Sequence, residues 1–286
     1  MSDVRPIGMP ADETPIGKEY RHVATTMMRC TRAVRDFDAK AYDPRAVEQA
    51  RAMWKVRMLS EYRSTSVFSA LAAQLMEARA SLESTAVVLR MGQDELRHAE
   101  ACGEALVALG AKAAEATIDE PVVVAPLALH KGSTVEERAL RNVIYGCSLS
   151  EIVNTARFVD ALDTMSDPFL KDITRQLLSD EVLHGQFGFF YLEEWRGWLE
   201  ANPQVLVSLA RYLRHAFVVL EKQLSGVGAP PKTLTVDERA LGMPDPARLP
   251  ETFYATIEGA VVPGLERFGI EAGKAWRERR LETAAT

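Results

Sequence analysis

The chain has 286 residues, 47% of them hydrophobic and 26% charged, with a formal net charge of −6. That is a globular composition, long enough for a sizeable core. Its acidic balance, with no basic-aromatic patch to reverse it, excludes nucleic acid as a partner. No apolar run reaches membrane-spanning length, and Met1-Ser2-Asp3-Val4-Arg5-Pro6 carries no signal-peptide core, so no membrane partner is expected. Three unpaired-looking cysteines, Cys30, Cys102 and Cys147, suit a reducing cytoplasm.

Residues 1–44 predict an N-terminal arm, irregular where Pro6, Gly8, Pro10, Pro15 and Gly17 fall and weakly helical from His22 to residue 39. Asp43-Pro44 is a helix start, with Asp as cap and Pro at the first helical position. The helix it opens runs to about residue 79, and one stripe carries Trp54, Met58, Glu61, Thr65, Phe68, Ala72 and Leu75. Glu61 is a carboxylate in an otherwise apolar face; Glu77 and Glu83 are the alternatives for its role. A second helix restarts near Ser81 and stops at Gly110, with Val88, Met91, Glu95, His98, Cys102 and Leu106 inward.

Periodicity fails from Gly110 to Lys131, through Pro121, Val122-Val123-Val124 and Pro126, which predicts a long connection. Ser133-Thr134-Val135-Glu136 reads as a capping box for a third helix bearing Leu140, Ile144, Cys147, Glu151, Thr155, Phe158 and Leu162. Asp167-Pro168 opens a fourth, with Leu170, Ile173, Leu177, Glu181, His184, Gly188 and Tyr191 on one face. A fifth helix is expected over 205–224, a Gly/Pro loop over 226–231, and two shorter helices over 251–260 and 264–280. The bundle is thus placed at 45–225, with 226–286 packing on it as part of a single domain.

Two five-residue stretches carry the chemistry: Asp94-Glu95-Leu96-Arg97-His98 and Asp180-Glu181-Val182-Leu183-His184, each D-E-x-x-H. A chain of this composition in random order holds about 0.02 such matches. On a helix Glu and His three apart lie one turn from each other on one face, where they grip one ion together. Glu61-x-x-x-Thr65-x-x-Phe68 recurs as Glu151-x-x-x-Thr155-x-x-Phe158, each copy preceding a D-E-x-x-H. Antiparallel pairing about the expected turns brings Glu61 level with Glu95, and Glu151 level with Glu181. Cys102, Cys147, Tyr145 and Tyr191 are expected as core, and His22, His130 and His215 as structural.

This pattern resembles the ferritin-like di-iron carboxylate proteins over roughly residues 45–195. The resemblance implies an all-α, ferritin-like four-helix bundle with a long crossover between helices 2 and 3 and additional C-terminal helices. Carried over, Glu61, Glu95, His98, Glu151, Glu181 and His184 are the metal ligands. Asp94 and Asp180 would each orient the imidazole of the opposite motif, with Arg97 pairing to those aspartates. Two iron ions are implied, with manganese or a mixed pair as alternatives, and O2 as co-substrate. Two ferrous ions would cancel the charge of four buried carboxylates. Cys102, one turn after His98, is similar to the bacterial multicomponent monooxygenases rather than the tyrosine of ribonucleotide reductase. Thr155 matches the threonine that those hydroxylases keep near bound oxygen, which implies a catalytic role. It equally reads as a threonine bonding a carbonyl of its own helix. Leu177 stands where arylamine N-oxygenases add a histidine, and no paired C-x-x-C module of the rubrerythrin kind is present.

The function expected is a non-haem di-iron, O2-dependent oxidase or oxygenase of a small organic substrate (by hydroxylation, desaturation or N-oxygenation). Its electrons would come from a reductase or ferredoxin, and a homodimer is expected. A peroxidase or ferroxidase without organic substrate, and a non-catalytic metal-stabilised bundle, are the alternatives.

Overall fold

The computed structural model describes residues 37–112, 115–119, 127–228, 230 and 232–280. The irregular arm and most of the helical pattern expected after His22 lie outside them, as do Cys30 and the apolar run Val122–Val124. The α-helices among the described residues are α1 (Pro44–Glu77), α2 (Leu82–Ala108), α3 (Val135–Val143), α4 (Ile152–Thr164), α5 (Pro168–Glu194), α6 (Arg196–Ala201), α7 (Pro203–Leu224), α8 (Val236–Ala240), α9 (Leu249–Thr256), α10 (Val262–Glu266) and α11 (Ala272–Glu278). None is long and apolar enough to cross a membrane.

Caps set the register of the four long rods. Asp43 accepts from the backbone N–H groups of Arg45 and Ala46, Ser81 from Ser84, and Asp167 from Leu170 at 2.8 Å. α2 ends at Gly110 (φ 89°) with Ala111 N–H bonded to Leu106 and Gly110 N–H to Val107, the Schellman pattern. The break between α1 and α2 uses the same bonds, Ala80 to Leu75 and Arg79 to Met76, but its left-handed residue is Arg79 at φ 58°. With no glycine there, the sequence marks this turn only faintly.

α1 and α2 are antiparallel neighbours. Asn142 of α3 donates to Gln74 near the end of α1, while Arg57 near its start stacks on Phe158 of α4, so this third rod is antiparallel to α1. It therefore runs parallel to α2, which requires the long crossover. Glu194 at the end of α5 accepts from Ser81 and Ser84 at the start of α2, which sets α5 antiparallel to α2.

Three expectations are corrected. The third rod is not one α-helix: a π-helical segment, Ile144–Glu151, separates α3 from α4. The cap of α3 is Thr134, which accepts from Glu137, while Ser133 turns its hydroxyl to the carbonyl of His130. Among the described residues a capping box is found instead at Thr235–Glu238, opening α8. The division of the C-terminal region falls at Gly269 (φ 77°) rather than before Gly264, because helix continues from α9 through a second π segment, Ile257–Val261, into α10. That widened turn admits Pro263, which lacks an N–H and would crowd a normal α turn.

One apolar cluster joins Leu75, Val88, Leu140 and Tyr191 of the bundle to Phe217, Phe253 and Trp276, so the C-terminal helices share its core. A second gathers Trp54, Met58, Cys102, Leu106, Phe158 and Leu170 around the other end of the rods. The polar residues of the inward stripes lie between these two apolar halves.

Candidate metal centre

Each of the four rods brings acid to this level. Glu61 comes from α1, Glu95 and His98 from α2, Glu151 from the last position of the π segment, and Glu181 and His184 from α5. Both imidazoles are fully buried, and Glu95 and Glu181 are 1% and 2% exposed. Glu61 is nearly buried and Glu151 half-buried, its accessible part facing a cavity that Glu61, Glu95 and Glu181 also line. Glu77 and Glu83 are exposed, which leaves Glu61 as the carboxylate of α1 at this depth.

Glu61, Glu95, His98 and Glu181 offer donor atoms within 4.8 Å of one another. Glu181 reaches Nδ1 of His98 with one oxygen (3.2 Å) and Nδ1 of His184 with the other (3.4 Å). Glu95 does likewise, at 3.9 Å from His98 and 3.1 Å from His184. Glu61 approaches only His98, at 3.7 Å. Glu151 lies against Glu181 and on the His184 side. The set thus has two halves, one per imidazole, with two carboxylates spanning both and one flanking each. The imidazole ring centres are 5.9 Å apart.

The outer nitrogens are crossed between the motifs. Nε2 of His98 meets Asp180 at 3.2 Å, and Nε2 of His184 faces Asp94 at 3.6 Å. Arg97 pairs closely with Asp180 and stands 3.9 Å from Asp94, which Arg90 holds through both oxygens at 3.0 and 3.1 Å. At His98 the aspartate hydrogen-bonded to Nε2 turns Nδ1 inward, whereas His184 Nε2 faces Asp94 beyond hydrogen-bond length and has no hydrogen-bond partner. Arg90 was legible only as an i, i+4 partner of Asp94.

Burial pushes the Glu95 and Glu151 carboxyls well above the usual range, and the charge of Glu181 adds to it. Burial would raise Glu181 too, but the two imidazoles outweigh it and hold it below. For His98 and His184 burial favours the neutral ring, and the surrounding carboxylates overcome that and raise both. Burial first, and then the charge of the nearby glutamates, pushes the Cys102 thiol up, one turn from His98, and burial with the charge of Glu151 does the same to Cys147.

The donor set fits a metal pair. Glu95 Oε2, Glu181 Oε2 and Nδ1 of both histidines are buried, converge, and have no hydrogen-bond partner. Four carboxylates and two imidazoles suit iron or manganese rather than a soft ion. The Thr155 hydroxyl donates to the backbone carbonyl of Glu181 at 3.2 Å and does not line the cavity. The cavity, about 280 Å³, runs from the glutamates along α1 and α4 past Arg57, Asn154, Arg157 and Phe158 to Pro244. Sequence reasoning missed Arg57, Asn154 and Arg157, which line it without an apolar stripe to make them stand out.

No protein-family model matches the chain, and no curated protein does. A solved structure does: a protein from Synechococcus with aldehyde deformylating oxidase activity, at 19% identity and a TM-score of 0.51, covering 83% of this chain and 97% of that one. The fold is a ferritin-like bundle. At this identity the likeness is one of fold.

Proposed function

We propose that this chain is a non-haem di-iron, O2-dependent oxidase or oxygenase acting on a small organic substrate. The observation that carries the reading is the pair of spanning carboxylates, Glu95 and Glu181, each facing both buried imidazoles, beside a cavity that reaches them. His98 with Glu61 would hold one ion and His184 with Glu151 the other, and Glu95 and Glu181, which face both imidazoles, would serve both. When bound, ferrous iron supplies the electrons that reduce O2 and the oxidising power turned on the substrate.

The chain's own residues do the rest. Asp180 fixes the His98 ring and Asp94 sets its charge beside His184, with Arg97 and Arg90 holding those aspartates in turn. Thr155 ties α4 to the turn of α5 that carries Glu181, so its part is to position that helix. Trp54, Met58 and Leu106 on one side, and Phe68, Met91 and Phe187 on the other, keep water from the centre. A cavity opening on the glutamates favours organic chemistry over a closed site that only stores or stabilises metal.

Anaerobic titration of the metal-free chain with Fe(II) tests this. Two ions per chain are expected, falling to one or none in Glu181→Ala. After O2 the iron should stay at two per chain and be reducible again by dithionite. Iron accumulating far beyond two, or a wild-type stoichiometry below two, overturns the proposal.

A further inference from the structure

The cavity holds two cations that the metal centre does not use. Arg57 on α1 precedes Glu61 by one turn, and Arg157 on α4 follows Glu151 by six residues; both line the cavity. Because α1 and α4 are antiparallel, both guanidiniums lie to the same side of the glutamates, roughly 6 and 9 Å along the bundle at 1.5 Å per residue. Arg57 is clamped, its guanidinium carbon 4.7 Å from the ring centres of both Trp54 and Phe158. Its Nη1 is buried without a hydrogen-bond partner. Neither arginine forms an ion pair with a described residue.

Two partly buried cations side by side cost free energy unless something negative is brought to them. Burial, and then the nearness of Arg57, both press the Arg157 pKa downward, which marks a place short of negative charge. The four glutamates do not supply it once the metal is in. Two divalent ions cancel their charge, and the guanidiniums then leave the cavity with two unmatched positive charges. Asn154, on the same face of α4 between Glu151 and Arg157, adds an amide to the wall.

We propose that Arg57 and Arg157 receive the carboxylate of the substrate, so that this oxidase acts on a small organic acid at a carbon several bonds from its carboxyl group. The inference rests on the function proposed above and names its substrate class. A planar guanidinium matches a carboxylate through two parallel N–H···O bonds, and two guanidiniums grip it from two sides. Met53, Phe158, Ala161 and Pro244 give the cavity an apolar wall for the hydrocarbon part. At about 280 Å³ it stands at the small end of ligand pockets, which suits a small acid. The head is held about one to two helical turns along the bundle from the glutamates, so the carbons between head and metal centre are the ones presented for oxidation.

The test uses the full chain loaded with Fe(II) without oxygen and titrated calorimetrically with hexanoate, hexanamide, hexan-1-ol and inorganic phosphate. Hexanoate is expected to bind at least tenfold tighter than the amide or the alcohol, and phosphate to compete poorly. Arg57→Gln and Arg157→Gln should each weaken hexanoate by tenfold or more without altering the alcohol, and Arg157→Lys should recover part of the loss. Equal binding of acid, amide and alcohol overturns the proposal without any variant. So does phosphate binding as tightly as hexanoate, or hexanoate unaffected by both arginine changes. Iron content of the same samples reports separately. Two ions with no preference for the acid sinks the substrate class alone, and a chain that takes up no iron yet prefers hexanoate sinks the di-iron reading alone.

Discussion

His98 and His184 are held by different hands. Asp180 meets His98 at 3.2 Å and leans on Arg97, whereas Asp94 stands 3.6 Å from His184 and is fixed by Arg90. Asp180→Asn removes the charge that orients His98 and leaves His184 untouched. One of the two ions should then leave at about 10–100-fold lower chelator concentration while the other stays. A single transition unchanged from wild type in chelator competition would show that Asp180 does not serve His98. The ligand candidates themselves were readable because a carboxylate or imidazole inside an apolar helix stripe needs an explanation. Arg57, Asn154 and Arg157 were not, since an arginine on a helix flank is ordinarily solvated and only the cavity between two rods distinguishes these. Far from the centre, Glu221 accepts from Arg279, Arg280 and Tyr254. Burial would raise its carboxyl, but these bonds outweigh burial and hold it down from 4.5 to about 2. A lowered folded-state value stabilises above the unfolded value and is lost as pH falls from 4.5 toward 2. Glu221→Gln should therefore cost up to about 3 kcal/mol at pH 7, the gap narrowing by about 1 kcal/mol at pH 3.5 in urea unfolding.

The π segment is where element-level reading failed, and its neighbours say why it exists. Apolar spacing across Leu140, Ile144, Cys147 and Glu151 satisfies a plain α-helix, and no residue type announces a widened turn. What holds it is tertiary: α5 passes so close that a Cβ on Gly188 would lie 2.0 Å from Ser148 Oγ and 2.9 Å from Ser148 N, while one on Gly185 would meet Ile152 at 2.9 Å. The turn that ends at Glu151 is thus seated on two glycines of the helix that carries Glu181 and His184. Gly188→Ala must push backbone aside and should lower stability by about 1–3 kcal/mol despite the better helix propensity of alanine. Gly197→Ala, in α6 with nothing within 4 Å of its would-be Cβ, isolates that propensity and should instead raise stability by about 0.5–1 kcal/mol. Chemical denaturation of the pair decides the matter. Equal effects would mean that the close approach does not constrain the rods.

At the scale of the molecule, the bundle was legible because caps and inward stripes recur in four long segments, and the crossover because one gap lacks periodicity. The two π segments and the sharing of one apolar cluster by bundle and C-terminal helices were not, since both depend on contacts between distant residues. The same architecture makes metal and stability inseparable. Glu61, Glu95, Glu151 and Glu181 converge between two dry apolar halves, where uncompensated carboxylates either repel or take up protons. Cations that bind only the folded chain stabilise it by about 2.7 kcal/mol per site at a free concentration 100 times the dissociation constant. Two such sites would raise the melting temperature by roughly 10–20 °C at 2–4 °C per kcal/mol. The gain should be lost on chelation, and roughly halved in His184→Ala, which leaves one half of the donor set intact. Calorimetric melting with and without Fe(II) under argon measures it. A melting temperature indifferent to metal in the wild-type chain would mean that the donors do not hold ions in the folded state, and the oxygen chemistry argued from them would have no seat.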